Sequence, residues 1–205
     1  MIQGRDCALG IDVSKWQGDV DWLTSPAEFG FIKATGGDGG LYTDREFSDN
    51  VRLCDVPWGP YHFAGRGGAV AEATYFAERI RGTGFRLPPV LDWEPDWRPD
   101  PDYALTWVLA FLTEVERRLG VRPMIYTGAY VPLRRAQALL AYDLWLAAYT
   151  TAPIQCQPWG LGWSVWQYTS SQPEPGIQGG RAGVDHNYAD RAWLARVLGT
   201  QPPHP

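Results

Sequence analysis

The chain has 205 residues, enough for one well-buried core, and a formal net charge of −5, which argues against a nucleic-acid partner needing a clustered basic face. Its 23 glycines and 17 prolines indicate many turns, and its 11 tryptophans and 10 tyrosines are an unusual inventory of rings, part of which must be core. Flat amphipathic rings of this kind suit sugar faces as well as interiors. The opening MIQGRDCALG has no apolar stretch resembling an export signal, and no run approaches the length of a membrane span, so membrane insertion is not expected. Cys7, Cys54 and Cys156 are widely spaced and form no CxxC or CxH pattern. A zinc site is therefore not expected; buried free thiols are favoured over a Cys7–Cys54 bridge.

Taken in chain order, short apolar runs bounded by Gly or Pro predict eight strands: LGIDVS, FGFIKAT, PWGPYHF, PPVLDWE, RPMIYT, DLWLAAY, SVWQY and GVDHNY. Helical patterns fall between the early ones. DREFSDNVRLC is one, and Ala73, Phe76, Ala77 and Ile80 mark a second. The clearest covers Asp102 to Leu119, with Leu105, Val108, Leu109, Leu112, Val115 and Leu119 on one face, Asp100 as cap, Pro101 in the first turn and Gly120 as stop. VPLRRAQALLA reads as a fourth, and about Asp190 to Leu198 as a closing helix. TTAPIQCQPWGLGW and QPEPGIQGGRA carry no helical period and read as loops.

Repeated βα units give a parallel sheet, and eight strands suggest closure. The expectation is an α/β fold in one catalytic domain spanning 1–205, with a core of about 9–198 and a tail of 199–205. It would be a trimmed TIM-like barrel, five βα units followed by three strands with loop connections, because the usual barrel needs about 250 residues. An open doubly wound sheet is the alternative, but no glycine-rich dinucleotide loop supports it.

Acids stand at the predicted strand ends: Asp12 after LGI, Asp92 and Glu94 after PPVL, and Asp185 after GV. In a barrel, the C-terminal strand ends converge on one mouth. Asp92 and Glu94 share a strand face, with Trp93 on the other, and no basic residue follows until Arg98. Clustered acids shift one another's pKa values, and the most desolvated keeps its proton. A protonated acid beside ionised ones is the equipment for cleaving a glycosidic bond. A lone Asp at a strand end is ordinarily a cap or turn former, so the same-face pair carries this reading. No serine elbow is present, and His62, His186 and His204 are scattered.

In order along the chain, GIDVSKWQG, FIKATGG, GPYHF, PPVLDWE, MIYTG, LWLAAY, VWQYTS and GVDHN resemble the glycoside hydrolase family 25 lysozymes, the Chalaropsis-type N-acetylmuramidases, over about residues 9–198. The resemblance implies the trimmed barrel and hydrolysis of the β-1,4 bond between N-acetylmuramic acid and N-acetylglucosamine in peptidoglycan. It implies Glu94 as proton donor, Asp92 as the residue that assists the substrate's acetamido group or activates water, and Asp12 and Asp185 as shaping and charging the cleft. Trp93 stands where the family more often has a small aliphatic residue, and TGG replaces T-x-G with a polar middle residue; Trp93 points away from the cleft and should alter packing rather than chemistry.

Position in the same blocks nominates Tyr61, Phe63, Lys33, Tyr126, Tyr149 and Gln167 as contacts for glycan. No cofactor and no metal is expected, and nothing demands an oligomer, so a monomer acting on peptidoglycan strands is the simplest state. The competing functions are a barrel that binds glycan without cleaving it, and a hydrolase of another N-acetylhexosamine polymer such as chitin. With no visible leader and no wall-binding repeats, the chain looks like a phage endolysin held in host cytoplasm until a membrane lesion releases it. A secreted wall enzyme recorded without its leader is the alternative.

Overall fold

A computed structural model describes residues 4–95, 100–128, 137–152, 155–177 and 183–200. In chain order it contains β1 (Cys7–Val13), β2 (Phe29–Gly36), β3 (Tyr42–Thr43), α1 (Phe47–Leu53), β4 (Trp58–Phe63), α2 (Ala69–Ile80), β5 (Val90–Asp92), α3 (Pro101–Leu119), β6 (Met124–Gly128), β7 (Leu144–Ala147), β8 (Val165–Gln172), β9 (Val184–Asp190) and α4 (Arg191–Thr200). All strands but β3 form a ring that closes where β1 pairs with both β2 and β9; β3 hangs on the end of β2. This is the trimmed α/β barrel that the spacing predicts.

Side-chain alternation sorts residues into two layers. Phe29 and Phe31 of β2, Tyr61 of β4, Val90 of β5, Met124 and Tyr126 of β6, Trp145 of β7 and Val165 of β8 fill the bore. Their neighbours Ile32, Leu91, Ile125 and Leu146 face outward onto the helices. Gly10 is required by this filling: a Cβ there would lie 2.4 Å from the Phe29 ring. At one end, Trp193, Leu194 and Val197 of α4 pack against the bore residues, and Asp143 holds the helix by accepting hydrogen bonds from Trp193 Nε1 at 2.8 Å and Arg196 at 3.1 Å.

The helices follow local signals. Asp100 accepts from the N–H groups of Asp102 and Tyr103 at 3.0 and 3.2 Å, Pro101 begins α3, and Gly120 ends it at φ 68°. The first connection, residues 14–28, contains turns rather than a helix. Within VPLRRAQALLA, residues 131–136 lie outside the described residues, and 137–141 form a 3₁₀ turn. All three cysteines are free thiols; Cys156 is buried, while Cys7 and Cys54 are only half-buried. Arg98 lies outside the described residues, as do residues 201–205.

The expected all-parallel sheet needs correction at its last strand. β9 runs antiparallel to both β8 and β1. A parallel return would need a crossover long enough to retrace the barrel. β9 instead runs back alongside β8, so it begins at the mouth and ends at the base.

Trp93 faces outward as alternation predicts, 1% exposed and 5.0 Å from Trp107. Behind β4 lies a buried polar cluster. His62 Nε2 and Glu72 Oε2 are 2.9 Å apart, and His62 Nδ1 meets Thr35 Oγ1 at 2.7 Å. Burial lowers the His62 pKa despite the nearby carboxylate, which fits a neutral ring donating to Glu72 and accepting from Thr35. Glu72 also accepts from the N–H groups of Gly65 and Gly67 at 2.8 and 2.9 Å. A Cβ on Gly37 would lie 2.3 Å from the Glu72 carboxylate, so the second glycine of TGG is fixed by this contact. Glu72→Ala strips a buried ring and two backbone donors of their acceptor at once. Urea denaturation should show a loss of about 3–5 kcal/mol, with Glu72→Gln, which keeps one oxygen, losing clearly less.

Candidate active site

Just above the bore filling, four strands deliver carboxyl or carboxyl-binding side chains to one cleft of about 200 Å³. Its floor is aromatic. Trp145 stacks on Phe31 with ring centres 4.3 Å apart and meets Tyr126 and Tyr61 edge-on at 4.6 and 6.2 Å. Above this floor the cleft is lined by Asp12, Asp92, Glu94 and Asp185, with Tyr61, Phe63, Lys33, Tyr126, Tyr149 and Gln167. All ten residues nominated from sequence therefore meet here.

The route by which Asp185 arrives differs from the expected one. It is the second residue of β9, directly paired with Asp12 of β1 across an antiparallel ladder. It belongs to the mouth because its strand starts there, not because a parallel strand ends there.

Asp12 is held by a relay of neutral donors. Its Oδ2 accepts from Gln167 Nε2 at 2.9 Å and Asn187 Nδ2 at 2.8 Å. Gln167 Oε1 accepts from the hydroxyls of Tyr126 and Tyr149, both at 2.9 Å, and Asn187 Oδ1 accepts from Trp145 Nε1 at 2.7 Å. Each amide is thereby locked in orientation, so Asp12 is offered N–H groups and not carbonyls.

The four acids form two pairs. Asp12 and Asp185 face each other across the β1–β9 ladder, and Asp92 and Glu94 stand one residue apart at the end of β5. Burial pushes the pKa of Asp12 well above the usual aspartate range, and the neighbouring Asp185 pushes it further. Asp92 is likewise raised well above its ordinary value, by burial and then by Glu94, with Lys33 pulling the other way. Asp185 is pushed up to about 6 by burial and by Glu94. Glu94 sits at the rim with its side chain partly in solvent; desolvation raises its pKa against the opposing pull of Asp92 and Lys33. The most desolvated acids are thus Asp12 and Asp92, not the glutamate. Asp92 and Glu94 act on each other in opposite senses, Glu94 favouring the protonated form of Asp92 and Asp92 the ionised form of Glu94. Asp92 Oδ1 is buried with no hydrogen-bond partner among the described residues.

Sequence reading missed five contributors. Ser14, Trp16, Gln17 and Trp145 also line the cleft, and Asn187 braces Asp12 from behind. Asn187 stands two residues after Asp185, and Trp145 stands four before Tyr149, so strand alternation could have found both. Ser14 and Gln17 are joined through a turn, Gln17 Oε1 accepting from the Ser14 N–H at 2.9 Å, and no periodicity announces that. A larger basin of about 730 Å³ adjoins the cleft, sharing Phe63 and Glu94 with it and floored by glycines 37, 39, 40, 65, 67 and 68. Among the described residues no group of His, Cys, Asp and Glu side chains could hold a metal ion, and no helix is long and apolar enough to cross a membrane.

Comparison with known proteins places this geometry. The sequence profile of the family described as "Glycosyl hydrolases family 25" matches residues 11–177. The Escherichia coli protein YegX, itself described as uncharacterized, is 31% identical over 185 residues, covering 83% of this chain and 66% of its own. Lysozyme M1 of Streptomyces globisporus is 30% identical over 205 residues, covering 87% and 66%. The chain thus spans about two thirds of the length of these relatives. The crystal structure of a bacterial lysozyme from Streptomyces coelicolor superposes with a TM-score of 0.77 at 28% identity, covering 96% of this chain and 99% of that one. With its profile matched over most of the barrel and its acids at the barrel mouth, the chain belongs to the glycosyl hydrolases of family 25.

Proposed function

We propose that the protein is a muramidase, hydrolysing the β-1,4 bond from N-acetylmuramic acid to N-acetylglucosamine in bacterial peptidoglycan, with Glu94 as general acid and Asp92 assisting the substrate's own acetamido group. The observation that carries this reading is the Asp92–Glu94 pair. The two acids stand one residue apart at the end of β5, with Trp93 between them facing the other way, and both line one cleft. Acids placed on one side of a bound linkage leave its other face to a different attacking group. An N-acetylhexosamine carries one in its acetamido oxygen.

The steps follow from the surroundings of the two acids. Substrate brings an amide N–H to the unpartnered Asp92 Oδ1, favouring the carboxylate of Asp92 and leaving the proton to Glu94. Glu94 gives that proton to the glycosidic oxygen as the bond to the anomeric carbon breaks. The acetamido oxygen bonds to the same carbon, forming a cyclic oxazolinium whose N–H is held by Asp92. Water, deprotonated by Glu94, then opens the ring with net retention. Asp12 and Asp185 keep negative charge and hydrogen-bonding capacity facing the developing cation. The lysozyme named among the relatives, and the lysozyme fold superposed over nearly the whole chain, support peptidoglycan as the substrate class. The site of action is then the bacterial wall, and a single chain suffices because all of these groups come from one barrel.

Loss of general acid catalysis typically costs 10²- to 10⁴-fold. Glu94→Gln should therefore clear bacterial walls at least about 100-fold more slowly than wild type in a turbidity assay; equal rates would remove Glu94 from the chemistry. Asp92→Asn should be comparably impaired, and proton NMR of fresh wild-type product should show the β-anomer first. An initial α-anomer means direct inversion and sinks the assisted route.

Activity should also fall on the alkaline side as Glu94 loses its proton, at a pH above the ordinary glutamate value because burial favours the protonated form. The same electrostatics set a cost in stability. A carboxyl whose pKa is raised on folding adds stability below its unfolded pKa and loses that contribution as pH rises through the folded value, here about 6 for Asp185. Asp185→Asn should accordingly stabilise the fold at pH 7 by about 1–2 kcal/mol, after allowance for screening. That gain should vanish near pH 4 in melting curves taken across the range.

A further inference from the structure

Of the 18 basic residues in the chain only two are lysines, Lys15 and Lys33, and both come to the same ring. Each ammonium lies 5.7 Å from the centre of Tyr42. Lys33 reaches inward, 4.6 Å from the Phe63 ring and 6.0 Å from Tyr61, and lines the cleft. Lys15 lies on the rim, 5.0 Å from the ring of Trp16, which is 53% exposed and also lines the cleft.

Neither ammonium has a carboxylate within 4 Å among the described residues. The acids beside them are engaged elsewhere. Asp44 Oδ2 accepts from the Lys15 backbone N–H at 3.2 Å, and its Oδ1 from the Glu46 N–H at 3.0 Å. Asp38 lies beside Tyr42 and, after burial, favours its protonated hydroxyl. Lys33 has Asp92 and Glu94 in the same cleft and pulls the pKa of both down, whereas Lys15 has cation–π attraction, about 0.5–1 kcal/mol where exposed, to offset the like charge at the same ring. An arginine there would fork onto nearby carbonyls and carboxylates, whereas a lysine stays a compact point charge with donors to spare. Of the two, Lys15 is the ammonium placed to take an outside anion.

We propose that Lys15, with Trp16 and Tyr42, forms an anion-binding subsite on the cleft rim that takes a carboxylate borne by the muramyl residue of the substrate. The exposed Trp16 face offers a platform for the adjoining sugar or lactyl carbons, and the ammonium fixes the acid beside it. The carboxylate has two sources with one chemistry: the free lactyl acid of a peptide-stripped glycan, or an acid of the stem peptide attached through it. This inference rests on the muramidase reading and deepens it, because it makes the rim a reader of muramic acid against neutral N-acetylhexosamine.

The test compares wild type, Lys15→Met and Lys15→Arg on three substrates, recording KM and kcat separately. These are peptide-bearing sacculi, the same glycan stripped of peptide to leave lactyl carboxylates, and the stripped glycan with those carboxylates converted to neutral amides. The wild type should favour an anionic glycan over the neutral one, with a KM that rises with salt. Lys15→Met should lose about tenfold of that preference, the size expected for one charge-assisted hydrogen bond, and most of the salt dependence; Lys15→Arg should keep most of both. A loss confined to the stripped acid names the lactyl group, and one confined to sacculi names the stem peptide. If Lys15→Met shifts all three substrates by one factor, or none of them, the subsite is overturned while the muramidase stands. If the wild type cleaves none of the three, the muramidase reading itself fails.

Discussion

Carboxyls gathered above a tightly filled aromatic floor cannot hydrate from below, and most of this molecule's design follows from that constraint. Phe31, Tyr61, Tyr126 and Trp145 close the bore directly beneath the acids. Water reaches the acids only from the mouth, so Asp12 and Asp92 are desolvated first and repelled by neighbours second. The relay of Gln167, Asn187, two tyrosines and Trp145 makes such an arrangement tolerable by supplying Asp12 with fixed donors. The acids of the other pair have Lys33 and each other. One pair is thus braced by neutral groups and the other is balanced by a single cation, which gives the two sides of the cleft different chemistry from the same residue types.

Support for this site extends well behind it. Glu72 holds His62 on β4 and the backbone of Gly65 and Gly67 after it, so the strand delivering Tyr61 and Phe63 is tied to α2. The glycines at 37 and 65 leave room for that contact; a Cβ on Gly65 would lie 2.0 Å from the Gly37 carbonyl oxygen. Trp93 does a related task for β5, filling the layer between barrel and α3 while the residues on either side of it face the cleft. The tryptophan is set off from the acids by strand alternation alone.

Legibility tracked locality. Period-two alternation separated Asp92 and Glu94 from Trp93, and the separation holds because it depends only on the backbone of one strand. The α3 boundaries were equally readable, since Asp100, Pro101 and Gly120 act within a turn of the residues they cap. What failed required knowledge of the whole ring. The direction of β9 is decided by how the chain gets from β8 back to β1, and no residue of GVDHNY encodes it. Asp185 reached the mouth regardless, because reversing a strand and moving the acid from its end to its beginning cancel. Which acid would be most desolvated was likewise hidden: burial is a property of the assembled floor, and the sequence around Glu94 gave no sign that it would lie further out than Asp92. Gln17 and Trp16 were missed because they come to the cleft through an irregular turn with no period to read.

The seating of α4 against one end of the bore has a further consequence. With Trp193, Leu194 and Val197 acting as a stopper, the barrel is a cup and not a tube. A long chain molecule could not be threaded through it, so any polymer has to be met side-on, draped across the lip from the acids towards the glycine-floored basin. Free ends are then irrelevant to engagement, and a mesh with few of them is as approachable as a solution of short fragments.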